Sequence, residues 1–151
     1  MQSLQDKLAP KSICFGCGPS NAQGLRIASI PEGDALVCDF TPQPHHAAFP
    51  GVLNGGIIGA LMDCHSNWAA VHHLMQRDGL TEAPACVTAE FAVKLKRPTP
   101  MGPVRLVARA VQSAGDSVTV ECELHAGGKV TATCRGLFVR VREGHPAFHR
   151  W

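Results

Sequence analysis

Hydrophobic and polar positions alternate with two different periods along this chain, and the changes of period mark its elements. Gly24–Ile30 reads as a first strand, turn signals occupy Pro31–Asp34, and Ala35–Phe40 alternates as a second strand. Thr41–Pro50 is a Pro- and His-rich loop. From Gly55 to about Gln76 the period becomes helical. Ile57, Leu61, Trp68 and Met75 recur at helical spacing, and Ile58, Met62 and Ala69 fill the adjoining stripe. A helix apolar on more than one face is expected to be buried, here wrapped by a sheet. Arg77-Asp78-Gly79 stops it. Period two then returns in four runs, Ala85–Lys96, Val104–Gln112, Val118–Leu124 and Val130–Val141. In the last run Val130, Ala132 and Cys134 hold one parity while Leu137, Val139 and Val141 hold the other, which predicts a bulge or bend at Gly136. Short turns at Ser113–Asp116 and Gly127-Gly128 make the last three strands an antiparallel meander. The order predicts an α+β fold in which one curved antiparallel sheet wraps a long central helix. Residues 1–13 form a polar lead-in, 14–142 a single domain, and 143–151 a C-terminal tail.

Composition narrows the classes of function. The chain has 151 residues, 45% hydrophobic and 17% charged, which fits one globular domain. A net charge of +2 is too small to imply a nucleic-acid partner. The start, Met-Gln-Ser-Leu-Gln-Asp-Lys, lacks an apolar signal core. The apolar run Ile57–Met62 is far short of the roughly 20 residues that span a bilayer. The expectation is a soluble, cytoplasmic protein with no membrane partner. Seven cysteines, an odd count, mostly sit among apolar neighbours and read as reduced, buried thiols. Cys14 and Cys17 form a lone Cys-x-x-Cys. A zinc site would need two more ligands, for which His45, His46, His72 and His73 are available. Packing is the expected use of the pair, with no metal and no cofactor.

Chemistry concentrates at the start of the long helix. Asn54 is a good N-cap, because its side-chain oxygen can accept an orphan N–H of the first turn. Gly55 and Gly56 leave that turn bare, and bare N–H groups at the positive end of a helix suit an anion or a developing oxyanion. Nine residues after Asn54 stands Asp63, in an otherwise apolar stretch, and a buried carboxylate needs a partner or a task. Nine steps of 100° amount to half a turn, with a rise of roughly 13 Å. One helix therefore does not present both its N-terminus and Asp63 to the same small group. Two such helices, antiparallel across a two-fold axis, do, and this predicts a site shared between subunits.

Two motifs carry a resemblance. Cys14-Phe15-Gly16-Cys17-Gly18-x-x-Asn21-x-x-Gly24-Leu25 is similar to an N-terminal signature of one branch of the hot-dog thioesterase superfamily. Pro50-Gly51-Val52-Leu53-Asn54-Gly55-Gly56, followed by Leu61-Met62-Asp63, resembles the Gly-x-x-His-Gly-Gly turn and carboxylate of its phenylacetate-degradation-type and 4-hydroxybenzoyl-CoA-type members. The resemblance implies an acyl-CoA substrate and a homodimer, or a pair of such dimers. It implies Gly55 N–H, with Gly56, as the oxyanion hole, and Asp63 of the other subunit as nucleophile or general base. Thr88 matches a position where relatives carry a Ser or Thr that orients water. The family's His is Asn54 here, and Ala48 stands where relatives often carry a polar side chain.

Other residues are candidates for binding. Ser66 and Asn67, within a turn of Asp63, are candidate partners of its carboxylate. Lys94, Lys96 and Arg97 are candidates for the phosphates of coenzyme A. His46, in the loop before the turn, is a candidate for approaching substrate and the only imidazole that hydratase chemistry would have. Met62, Leu61, Trp68 and Met75 either line an acyl pocket or pack the core. The alternative to hydrolysis is a non-catalytic module of the same fold that binds an acyl-CoA.

Overall fold

The computed structural model describes residues 1–151. Helix α1 spans Leu4–Leu8, strands β1 and β2 span Ile30–Glu32 and Ala35–Phe40, and a short helical turn covers Pro44–His46. A small ladder of β3 (Ala47–Phe49) and β4 (Val52–Leu53) leads into α2, Gly55–Asp78. Strands β5 (Cys86–Leu95), β6 (Val104–Ala114), β7 (Ser117–Ala126) and β8 (Lys129–Arg140) follow. One antiparallel sheet takes the order β1-β2-β6-β7-β8-β5.

The alternation predicted for the later strands decides which face meets α2. Val104, Leu106 and Ala108 of β6 and Val118, Val120, Cys122 and Leu124 of β7 are all buried. They pack with Ile58, Leu61, Met62, Trp68, Val71 and Leu74 of α2 in one core. Leu61, Met62 and Trp68 therefore serve the core. Gly127 and Gly128, with φ of 58° and 78°, form the two-residue turn that β7 and β8 require. This α+β arrangement, one sheet curved around one long helix, is the hot-dog fold.

Two local expectations are corrected. Gly24–Ile30 is not a strand; the extended run begins at Ile30. Arg26 takes a left-handed φ of 53°, and the segment's N–H groups go to the cysteine loop, Leu25 to Phe15 O and Ile27 to Gly16 O. Gly136 carries no bulge, because the inward parity of β8 continues through Ala132, Cys134, Gly136 and Phe138. The missing side chain at Gly136 leaves room that the buried Phe138 ring occupies. Leu137 and Val139 simply lie on the outer face. The bulge in this region sits at Ala89 of β5, facing β8.

A buried polar chain fastens the lead-in to α2. His65 Nε2–H donates to Leu36 O at 2.8 Å, so Nδ1 accepts from Ser29 Oγ, also at 2.8 Å. Gln5 closes the network by donating to Ser29 Oγ and accepting Ser29 N–H. Burial pushes His65 down to about 4, and the ring is neutral at physiological pH. The tail is also docked. Trp151 packs at a tilt against Trp68 (ring centroids 4.6 Å apart) and donates to Pro84 O, while Arg150 donates to Cys86 O at 2.7 Å.

Candidate active site

The turn before α2 is held on several sides. Asn54 N–H donates to His46 O, Leu53 N–H to Thr99 O and Met101 N–H to Gly51 O. Gly51 has a φ of 82°, a conformation glycine takes without strain. Asn54 caps the helix as its sequence position predicts: its backbone is extended, and its Oδ1 accepts the Ile57 N–H at 3.0 Å. Its carbonyl accepts the Ile58 N–H at 3.1 Å. The N–H groups of Gly55 and Gly56 precede the first intrahelical bond and find no acceptor in the chain. Gly56 follows Gly55 in the first turn, and Gly55 lines a cavity of about 400 Å³. Ala48, Phe49, Gly55 and Leu95 give it an apolar wall, and Lys96 and Arg97 stand at its edge. A Cβ on Gly55 would come within 3.1 Å of Leu95 Cδ1, so glycine here keeps the helix end open.

Asp63 lies farther along the same unbroken helix, and the half-turn offset from Asn54 applies. It is half-buried and does not line the cavity at Gly55. Thr88 Oγ1 donates to its Oδ1 at 2.6 Å. Burial pushes the Asp63 carboxyl above the usual range; the Thr88 bond opposes the shift, and so does the charge of Arg150. The bulge at Ala89 has a positional role here. It lets Thr88 face Asp63 while Val93 and Leu95, of the opposite numerical parity, also face the helix side.

The other candidates divide. Lys96 and Arg97 reach the cavity because β5 ends at Leu95 and both their N–H groups turn to Thr131 O. Lys94 does not join them; it lies with Glu121, Glu123 and Arg135 on the outward side of the sheet. Ser66 and Asn67 do not bond Asp63. Ser66 Oγ is buried without a partner, and Asn67 donates to Cys86 O at 3.1 Å. His46 is buried, stacks on Phe40, and accepts Gln43 N–H at its Nδ1. It supports the turn through its carbonyl and does not line this cavity.

Two features escaped sequence reasoning. Arg150, at the end of the tail, comes near enough to Asp63 to influence its charge. Cys64 meets Cys14, with their sulfurs 3.7 Å apart, although fifty residues separate them. Neither carried a local signal, since each depends on how remote segments dock.

One sheet wrapped on one long helix makes this a hot-dog protein, with an open glycine helix start and a threonine-bonded carboxylate as its candidate site. The sequence profile of the thioesterase superfamily matches residues 50–133, more than half of the chain, and the chain belongs to that superfamily. Among solved structures, a thioesterase superfamily protein from Shewanella loihica is 29% identical, with a TM-score of 0.66, covering 82% of this chain and 98% of its own. A conserved protein from Pseudomonas aeruginosa is 23% identical (TM-score 0.67; 84% and 96% covered). The E. coli PaaI protein of the phenylacetic acid degradation operon is 18% identical (TM-score 0.65; 78% and 81% covered). These last two share the fold. No curated protein matches the chain significantly.

Proposed function

We propose that this protein is an acyl-CoA thioesterase that works as a homodimer, each site combining Gly55 of one protomer with Asp63 of the other. Superfamily membership supports thioester hydrolysis in general. The observation that carries the finer reading is the Thr88–Asp63 hydrogen bond. The threonine hydroxyl donates, so the carboxylate accepts, and this bond favours the ionised form, which takes a proton or attacks a carbonyl carbon, against the burial that raises its pKa. In the general-base form, Asp63 removes a proton from water and the water oxygen bonds to the thioester carbon. The carbonyl oxygen becomes an oxyanion that accepts from Gly55 N–H, with Gly56 beside it. Collapse breaks the carbon–sulfur bond, and the coenzyme A thiolate recovers the proton. In the nucleophilic form the carboxylate itself attacks, and water then hydrolyses the anhydride.

Dimerisation is supported by β5. It is an edge strand of ten residues with an unpaired side, and Phe91 and Leu95 on it are exposed. Lys96 and Arg97 serve the phosphates of coenzyme A at the cavity edge, and the apolar wall takes the pantetheine or acyl chain. The test is a panel of acyl-CoA esters assayed for thiol release. Asp63→Asn keeps the shape and should lower turnover by about 100-fold or more; unchanged activity would remove Asp63 from the mechanism.

One observation favours a second reading, a ligand-binding module. Asn54 Oδ1 is committed to the Ile57 N–H, and Ala48 gives the cavity a methyl group in place of a polar one. Saturable acyl-CoA binding without hydrolysis in a dimer would support that reading.

A further inference from the structure

The Cys-x-x-Cys pair does not stand alone in space. Cys14, Cys17 and Cys64 bring their three sulfurs within 4.8 Å of one another, two from the N-terminal loop and one from α2. We propose that these three thiols form a site for a soft divalent ion, zinc, with water in the fourth position. Geometry is the first argument. Zinc–sulfur bonds of about 2.3 Å in a tetrahedron place neighbouring sulfurs about 3.8 Å apart. Cys14 Sγ and Cys64 Sγ are 3.7 Å apart, and Cys17 needs a shift of no more than about one ångström to complete the face.

The surroundings are built for sulfur. Trp68 Nε1–H donates to Cys17 Sγ at 3.3 Å, a hydrogen bond that stabilises a thiolate and orients it. Gly16 permits the close approach: a methyl there would overlap Cys64 Sγ. Gly18 folds the loop back by donating to Cys14 O at 2.8 Å, and a Cβ on it would overlap the loop backbone. Cys17 is buried, whereas Cys14 and Cys64 are partly exposed, which leaves a path for the ion and its water. The ligand set is all thiol, which selects zinc-like ions over magnesium or calcium. Cys64 is the third ligand that the spacing of Cys14 and Cys17 left unidentified. On binding, zinc replaces the thiol protons, which leave to solvent, and the ion clamps the loop to the central helix.

The test uses the full chain, reduced and freed of metal with a chelator, titrated with cobalt(II) as a spectroscopic probe and then with zinc. The expected result is a thiolate-to-cobalt charge-transfer band that saturates at one ion per chain, disappears as zinc displaces cobalt, and is accompanied by proton release. Cys14→Ser, Cys17→Ser and Cys64→Ser should lose the band, whereas Cys38→Ala should keep it. Because a serine variant can fail to fold, alkylation of the unaltered protein gives a second readout, with zinc expected to protect Cys14 and Cys64 in peptide mapping. No band in the reduced protein, a band that survives in folded Cys64→Ser, or alkylation unaffected by zinc would each overturn the site. So would rapid formation of a Cys14–Cys64 disulfide in a protein that takes up no metal.

Discussion

Thr88 Oγ1 lies 2.6 Å from Asp63 Oδ1, joining the edge strand β5 to the central helix at a half-buried carboxylate. The bond exists because β5 bulges one residue later, at Ala89. A hydrogen bond to a charged group is worth about 1.5–3 kcal/mol, or roughly 10- to 100-fold in a rate it supports. Thr88→Val should therefore lower kcat by about tenfold or more and leave KM nearly unchanged. Thr88→Ser should restore most of the loss. A rise in KM with kcat intact would assign Thr88 to substrate binding instead.

Gly55 allows a single backbone N–H to be deleted. It is the first residue of α2, the position where proline is tolerated because no intrahelical N–H is lost. Asn54, the residue before it, already has the extended backbone that precedes proline, φ −62° and ψ 133°. Gly55→Pro should thus fold, at a modest cost in thermal stability because its Cβ approaches Leu95 Cδ1 at 3.1 Å and that side chain must shift, while removing the proposed oxyanion donor. Turnover is expected to fall by about 100- to 1,000-fold. Full activity in a folded Gly55→Pro protein would exclude this N–H from the reaction.

Much of this was legible in the sequence where a local pattern carries the information. The helix start at Asn54, the inward faces of β6 and β7 and the meander turns all follow from spacing and turn chemistry. The misreadings have physical causes. Gly24–Ile30 has strand-like composition, but the left-handed Arg26 and bonds to the cysteine loop override it. At Gly136, parity counting treated glycine as a break; the sheet instead uses its missing side chain to seat Phe138. Lys94 and Lys96 look like one pair in the sequence, yet the strand ends between them and sends them to different sides. The docking of Arg150 and the meeting of Cys14 with Cys64 depend on tertiary contacts that no periodicity encodes.

Ser29 supports the central helix without touching the candidate site. Its hydroxyl bridges Gln5 and His65 in a fully buried chain. Ser29→Ala leaves His65 Nδ1 and Gln5 Nε2 without partners, at a cost of about 1–3 kcal/mol. Denaturant unfolding should show a lower midpoint with an unchanged slope, and thioester turnover per folded molecule should be retained. An unaltered midpoint would mean that water replaces the hydroxyl.

The central claim is that Gly55 and Asp63 act on one thioester from two different chains. Co-expressing Gly55→Pro and Asp63→Asn protomers under separate tags, and purifying the hybrid on both, tests it directly. Each variant alone should be nearly inactive. The hybrid contains one site with both groups intact and one with neither, so it should recover about half of the normal activity per dimer. A hybrid as inactive as its parents would contradict the shared site and place both groups, or neither, within a single protomer.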